Sequence, residues 1–124
     1  MRRVAFLLLL SLVSSWAAAA VTLVADGQAR AVIVLPEKPL PVETYAAQEL
    51  AYHVAQASGA QLATVNEPSV PAQPSGRVYI GNTTAARDAG LDGAKLAPEV
   101  FVLRAKGPAL FIVGRDSEGD ALNA

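Results

Sequence analysis

The chain contains no cysteine. That excludes a disulfide framework, a thiol nucleophile, a cysteine-based zinc site and a lipid-modified cysteine. Its single histidine, His53, excludes a multi-histidine metal site. Charge is sparse and balanced, with 10 basic residues against 11 acidic and a formal net charge of -1. Nothing there resembles the basic surplus that nucleic-acid binding draws on. The one tryptophan, Trp16, lies close to the N-terminus. No Gly-x-Ser-x-Gly elbow is present, and no constellation of residues identifies a reaction. At 124 residues the chain has room for one domain.

What is present begins with an export signal. Arg2 and Arg3 precede the unbroken apolar run Val4–Leu10, extended by Leu12 and Val13. Small residues follow and end in Ala17-Ala18-Ala19-Ala20. A positive n-region, an apolar h-region and an Ala-x-Ala site define a secretory signal peptide over residues 1–20. Cleavage is expected after Ala20 or one or two residues earlier. The run is short for a membrane span, which needs about 20 residues; a retained N-terminal anchor is the alternative. No later segment is long and apolar enough to span, so no membrane span is expected after cleavage. The mature protein is expected to be secreted or periplasmic.

Beyond Ala20 the apolar pattern alternates between strand and helix. Val21–Ala25 and Ala31–Leu35 read as strands around the turn Asp26-Gly27-Gln28 and could form a hairpin. The second is apolar on both faces, which suits a central strand. Pro36, Pro39 and Pro41 lead into a helix over Pro41–Ser58. Its first turn carries Pro41 and Glu43, its apolar face Ala46, Leu50, Val54 and Ala57, and Gly59 ends it. Short strands are expected at Gln61–Val65 and Arg77–Ile80, separated by a loop with three prolines. Asn82, Thr83 or Thr84 caps a short helix that closes at Gly90. Glu99–Arg104 and Ala109–Val113 read as a hairpin turning at Lys106-Gly107-Pro108. The fold class expected is an α/β (α+β) sandwich: a mixed β-sheet of about six strands with one long and one short helix. One long helix covers only part of one sheet face, and the last strand runs into a polar tail. A further covering helix is therefore expected, with the chain as given incomplete at its C-terminus.

Each candidate site has a plainer explanation beside it. His53 on the long helix is a possible general base, but the pattern supplies no partner, and a packed or half-exposed structural histidine is the better reading. Glycoside hydrolysis needs two carboxylates flanking the bond. Glu43 and Glu49 share the long helix but point in different directions, so both read as solvated helix charges. Asp116-Ser117-Glu118-Gly119-Asp120 has oxygen ligands at alternate positions, as calcium loops do, but lacks the full pattern. Gly114 to Gly119 has the spacing of a phosphate loop without its Lys-Ser/Thr. Asn82-Thr83-Thr84 matches the glycosylation sequon, and a helix cap explains the same residues. Phe101 and Phe111 read as hairpin core and Tyr79 lies in a strand, while Tyr45 and Tyr52 share one side of the helix. That gives little support to a sugar-stacking platform.

Three stretches together resemble a known domain. Thr44–Leu62, TYAAQELAYHVAQASGAQL, is similar to the first helix of the non-catalytic N-terminal domain of α-glucuronidases, which shares the second-domain fold of β-hexosaminidases. Val78–Asp92, VYIGNTTAARDAGLD, resembles the strand, cap and short helix that follow there. Glu99–Asp116, EVFVLRAKGPALFIVGRD, resembles the next hairpin with its closing Gly-x-Asp. The resemblance implies that residues 21–124 form an accessory domain ahead of a catalytic (β/α)8 barrel in an exported glycoside hydrolase acting on complex polysaccharide. The acid/base carboxylates would lie on that barrel. No catalytic, cofactor-binding or metal-binding residue is assigned to this chain, and it is expected to be inactive alone. Ser117–Ala124 departs from the family's Gly-rich turn and helix. A stand-alone secreted carbohydrate-binding or protein-interaction module is the alternative.

Overall fold

A computed structural model describes residues 20–117. The signal-peptide reading therefore lies almost wholly outside the described residues, as do Glu118, Gly119 and Asp120 of the acidic run. Among the described residues are seven strands, two α-helices and one 3-10 turn: β1 Val24–Ala25, β2 Gln28–Ala29, β3 Ala31–Leu35, α1 Pro41–Ser58, β4 Thr64–Asn66, β5 Gly76–Ile80, α2 Thr84–Asp88, the 3-10 turn Gly93–Lys95, β6 Phe101–Lys106 and β7 Ala109–Gly114. Five of the strands make one mixed sheet in the order β4-β3-β5-β7-β6. The first four run parallel, and β6 joins antiparallel at one edge. This is the α/β architecture that the alternating pattern predicts.

The hairpin expected between residues 21–25 and 31–35 does not form. The turn at Asp26-Gly27 closes a ribbon of β1 on β2 only, with Val24 opposite Ala29. Past Arg30 the chain enters β3, which pairs with β4 and β5 instead. The reason lies in β3 itself. Its five residues are apolar on both sides and all at most 2% exposed, which only a central parallel position supplies.

The two faces of the sheet are covered differently. Ala31, Ile33 and Leu35 of β3, with Val78 and Ile80 of β5, pack against Ala46, Ala47, Leu50, Ala51 and Val54 of α1. The alanines let the helix approach the sheet closely; Ala47 is 1% exposed. Ala57, expected on this stripe, is exposed, and the packed face of α1 ends at Val54. Pro41 stands at the first turn, and Gly59 closes α1 in the left-handed region at φ 75°. On the opposite face Tyr79, Phe111 and Val113 pack against Ala86, Ala89 and Leu91 in and after α2. The guanidinium of Arg77 fastens the proline-rich crossing from β4 to β5 by donating to the carbonyls of Pro71, Ala72 and Pro74.

The β6–β7 hairpin forms with Leu103 opposite Ile112 and Ala105 opposite Leu110. Opposed residues share a face, so Phe101, Leu103 and Ala105 lie on the α1 side. There α1 packs over β3 and β5 and leaves β6 bare. Phe101 is 70% exposed and Leu103 60%. Phe101 is thus not core, as the hairpin pattern suggested; Phe111, on the other face, is buried. Among the described residues no helix is long and apolar enough to cross a membrane.

Candidate functional site

The parallel strands end together at Leu35, Asn66, Ile80 and Gly114. In open α/β sheets this edge is where ligands bind, and here it gathers most of the buried polarity. Glu43 is the centre. It occupies the third position of α1, where the carboxylate accepts the Leu40 backbone N–H at 2.8 Å. Leu40 has no side-chain acceptor to return the bond, so half of a capping box is formed. The other oxygen accepts the Asn82 backbone N–H at 3.3 Å. Glu43 is only 3% exposed, so the reading of it as a solvated helix charge is overturned.

Gly81 makes that burial possible. It follows β5 at φ 89°, and a Cβ built there would lie 2.2 Å from Glu43 Oε1. A residue with a side chain would meet both the φ penalty and the carboxylate. The next residue, Asn82, knits the edge together. Its side-chain oxygen accepts the Gly93 N–H at 3.1 Å, and Nδ2 donates to Asp92 Oδ1 at 3.2 Å. With that amide engaged, the sequon is a structural joint. Thr83, fully buried, provides the cap, its hydroxyl accepting the Ala86 N–H at 3.0 Å.

The third carboxyl comes from beyond β7. Asp116, two residues past the end of β7, lies near enough for its charge to act on Glu43. Gly114 leaves the room, since a Cβ there would sit 3.2 Å from Asp116 Oδ1. Burial pushes the Glu43 carboxyl above its ordinary value, and the Asp116 charge pushes the same way. The N–H groups of Leu40 and Asn82 pull against them. Asp116 is likewise raised by desolvation, with the Glu43 carboxyl pulling the other way.

An open hollow of about 420 Å³ lies along the same edge, with Lys38, Glu67, Asn82 and Arg87 on its wall. The start of α2 does not offer free N–H groups to it. Glu67 already accepts from Thr84 and Ala85 at 2.8 and 3.1 Å. Nothing in the sequence marked Glu67, because it caps a helix that begins 17 residues later. Chemically the edge is a set of satisfied carboxylates and amides, without a nucleophile held against a base.

His53 stands apart on the outer side of α1, its side chain 70% exposed, with Nε2 3.5 Å from Glu49 Oε2 one turn earlier. That gives it the acidic partner that the sequence reading did not supply. Tyr52 meets the ring edge-on at 5.3 Å. Tyr45 and Tyr52 are 40% and 57% exposed, while Tyr79 stacks on Phe111 at 5.1 Å inside the α2 side. The exposed aromatics are thus scattered over α1 and β6, and no flat platform unites them. Among the described residues no three His, Asp or Glu side chains gather as a metal site. No family model, curated protein or solved structure matches the chain.

Proposed function

We propose that this chain is the non-catalytic N-terminal accessory domain of an exported glycoside hydrolase, α-glucuronidase-like and acting on complex polysaccharide. Its work is structural. It docks through the open end of its sheet against the rest of the host polypeptide, which carries a catalytic (β/α)8 barrel. The observation that carries this reading is the bare apolar strip of β6. Phe101 and Leu103 share one face of this edge strand at 70% and 60% exposed, and Val100, just before it, is 43% exposed. Contiguous apolar surface of that kind marks an interface. An occupant from the same polypeptide is favoured because β7 delivers the chain to the strand-end edge beside α1. The order of elements from α1 to the β6–β7 hairpin is also the order that the α-glucuronidase resemblance implies.

Purified residues 21–124 test the proposal. The isolated piece should self-associate, bind a hydrophobic dye and hydrolyse no glycoside. The reading frame past Ala124 should encode a helix and then a barrel's strand–helix alternation. Hydrolysis that carboxylate substitution abolishes would sink the reading. A monodisperse, cooperatively unfolding piece with a stop codon directly after Ala124 would replace it with a stand-alone secreted carbohydrate-binding or protein-interaction module.

A further inference from the structure

We infer that the segment docking on β6 is an extended strand of the host polypeptide, apolar on one face and bearing Asp or Glu on the other, which pairs with this edge and lengthens the sheet. The inference rests on the reading of β6 as the contact surface and supplies the chemistry of the occupant.

The backbone argues first. β6 ends the strand order β4-β3-β5-β7-β6 and, among the described residues, pairs with β7 alone. In an antiparallel pair, alternate residues turn their N–H and C=O groups away from the neighbour. The outer side of β6 therefore presents a row of unpaired donors and acceptors. It is six residues long, Phe101–Lys106, against three for β4, Thr64–Asn66, at the opposite edge. Very short edge strands resist an added strand, and longer ones offer it a template. A helix laid over Phe101 and Leu103 would cover the apolar face but leave that row unpaired. An added strand satisfies the row and extends the apolar face at once.

The side chains then specify the strand. Phe101, Leu103 and Ala105 lie on the α1 side and are all exposed. Opposed residues share a face, so the residues arriving beside these three are apolar. On the other face Val102 is half-buried, while Arg104 and Lys106 are exposed. Among the described residues the ion pairs are His53 with Glu49 and Lys95 with Asp92, so neither Arg104 nor Lys106 has a carboxylate partner. Asp88 borders the same hollow as Lys106 without pairing with it. Alternate acidic residues on the incoming strand meet these two cations, and a basic strand is repelled by them. A second copy fits the edge poorly, because edge-to-edge pairing gathers the cations of both copies on one face of the seam. Association of the chain with itself is thus left to the apolar face.

Capped peptides of alternating Val and Glu, and of alternating Val and Lys, titrated into the isotope-labelled exported chain test the proposal. Amide exchange reads where they pair. The Val-Glu peptide should bind about tenfold tighter than the Val-Lys peptide, through two attractive rather than repulsive cross-strand pairs. It should protect alternate amides of Phe101–Lys106 and leave those of Thr64–Asn66 unchanged. Arg104→Glu with Lys106→Glu, both at exposed positions, should reverse the preference. A Val-Glu peptide N-methylated throughout cannot donate to the edge and should not bind. Equal affinity for the two peptides, affinity for neither, protection away from β6, or undiminished binding of the N-methylated peptide would overturn the acidic strand. Dye binding of the chain with Phe101→Ser and Leu103→Ser judges the contact surface without any peptide, so failure of that reading is told apart from failure of this one.

Discussion

β3 and β6 belong to one sheet and are both rich in apolar residues, yet they live in opposite environments. All five residues of Ala31–Leu35 are at most 2% exposed, whereas Phe101 and Leu103 of β6 are 70% and 60% exposed. The difference is positional. β3 has a strand on each side and α1 across one face. Among the described residues β6 has one neighbour, β7, and no helix over its α1 side. Arg104 and Lys106 point to the other side of β6, where charges on an edge strand discourage stray pairing. The stability of this fold is therefore concentrated at the β4-β3-β5 end, and its capacity for contact at the β6 end.

The sharpest way to break that comparison is to cut into the buried strand. Ile33 is fully buried between α1 and the sheet. Ile33→Ala should destabilise the fold by about 2–5 kcal/mol, through lost transfer energy and the cavity left behind. Chemical denaturation would show it as a lower midpoint at unchanged slope. A loss below about 0.5 kcal/mol would mean that β3 is not the central strand described here.

Next in size is the polar edge above the same strand. Glu43→Ala leaves the N–H groups of Leu40 and Asn82 without their acceptor. The cost should be about 1–3 kcal/mol. Glu43→Gln, which keeps an acceptor, should cost less. Gly81→Ala should be strongly destabilising in the natural chain, since its Cβ would collide with Glu43. In a Glu43→Ala background only the backbone strain of the positive φ remains, about 1–3 kcal/mol. A double-mutant cycle should therefore show coupling between positions 43 and 81. Additive losses would place Glu43 away from Gly81.

Much of the covered region was legible in the sequence, and the reasons are local. Pro41 and Gly59 bracket α1, Thr83 caps α2, and the turn at Gly107-Pro108 sets the β6–β7 hairpin. The apolar run of β3 announced a central strand. What stayed hidden depends on residues far apart in the chain. Glu43 and Glu49 look alike on one helix, but Glu43 lies under the Gly81-Asn82 turn, 39 residues from Asn82, while Glu49 is exposed beside His53. Likewise, alternation along β6 separates its two faces but cannot tell which one a helix covers. Phe101 was misplaced for that reason. The polar edge was missed because Asp116, Asn82 and Glu67 take their roles only once the parallel strands end side by side.

The smallest expected change in stability is also the one that separates fold from contact. Phe101→Ser and Leu103→Ser remove the apolar strip without touching the packed face of β7, whose Phe111 and Val113 lie on the other side. Residues that are already largely exposed lose little transfer energy when truncated, so stability should change by no more than about 0.5 kcal/mol per site. Thermal unfolding would check this. Self-association and dye binding of residues 21–124, by contrast, should drop sharply in the double variant, because nothing else on the α1 side of β6 is as apolar. A variant that stays as associated as the natural chain would move the contact surface off β6. One that unfolds would show that the strip holds the hairpin together, erasing the division between a packed end and a docking end.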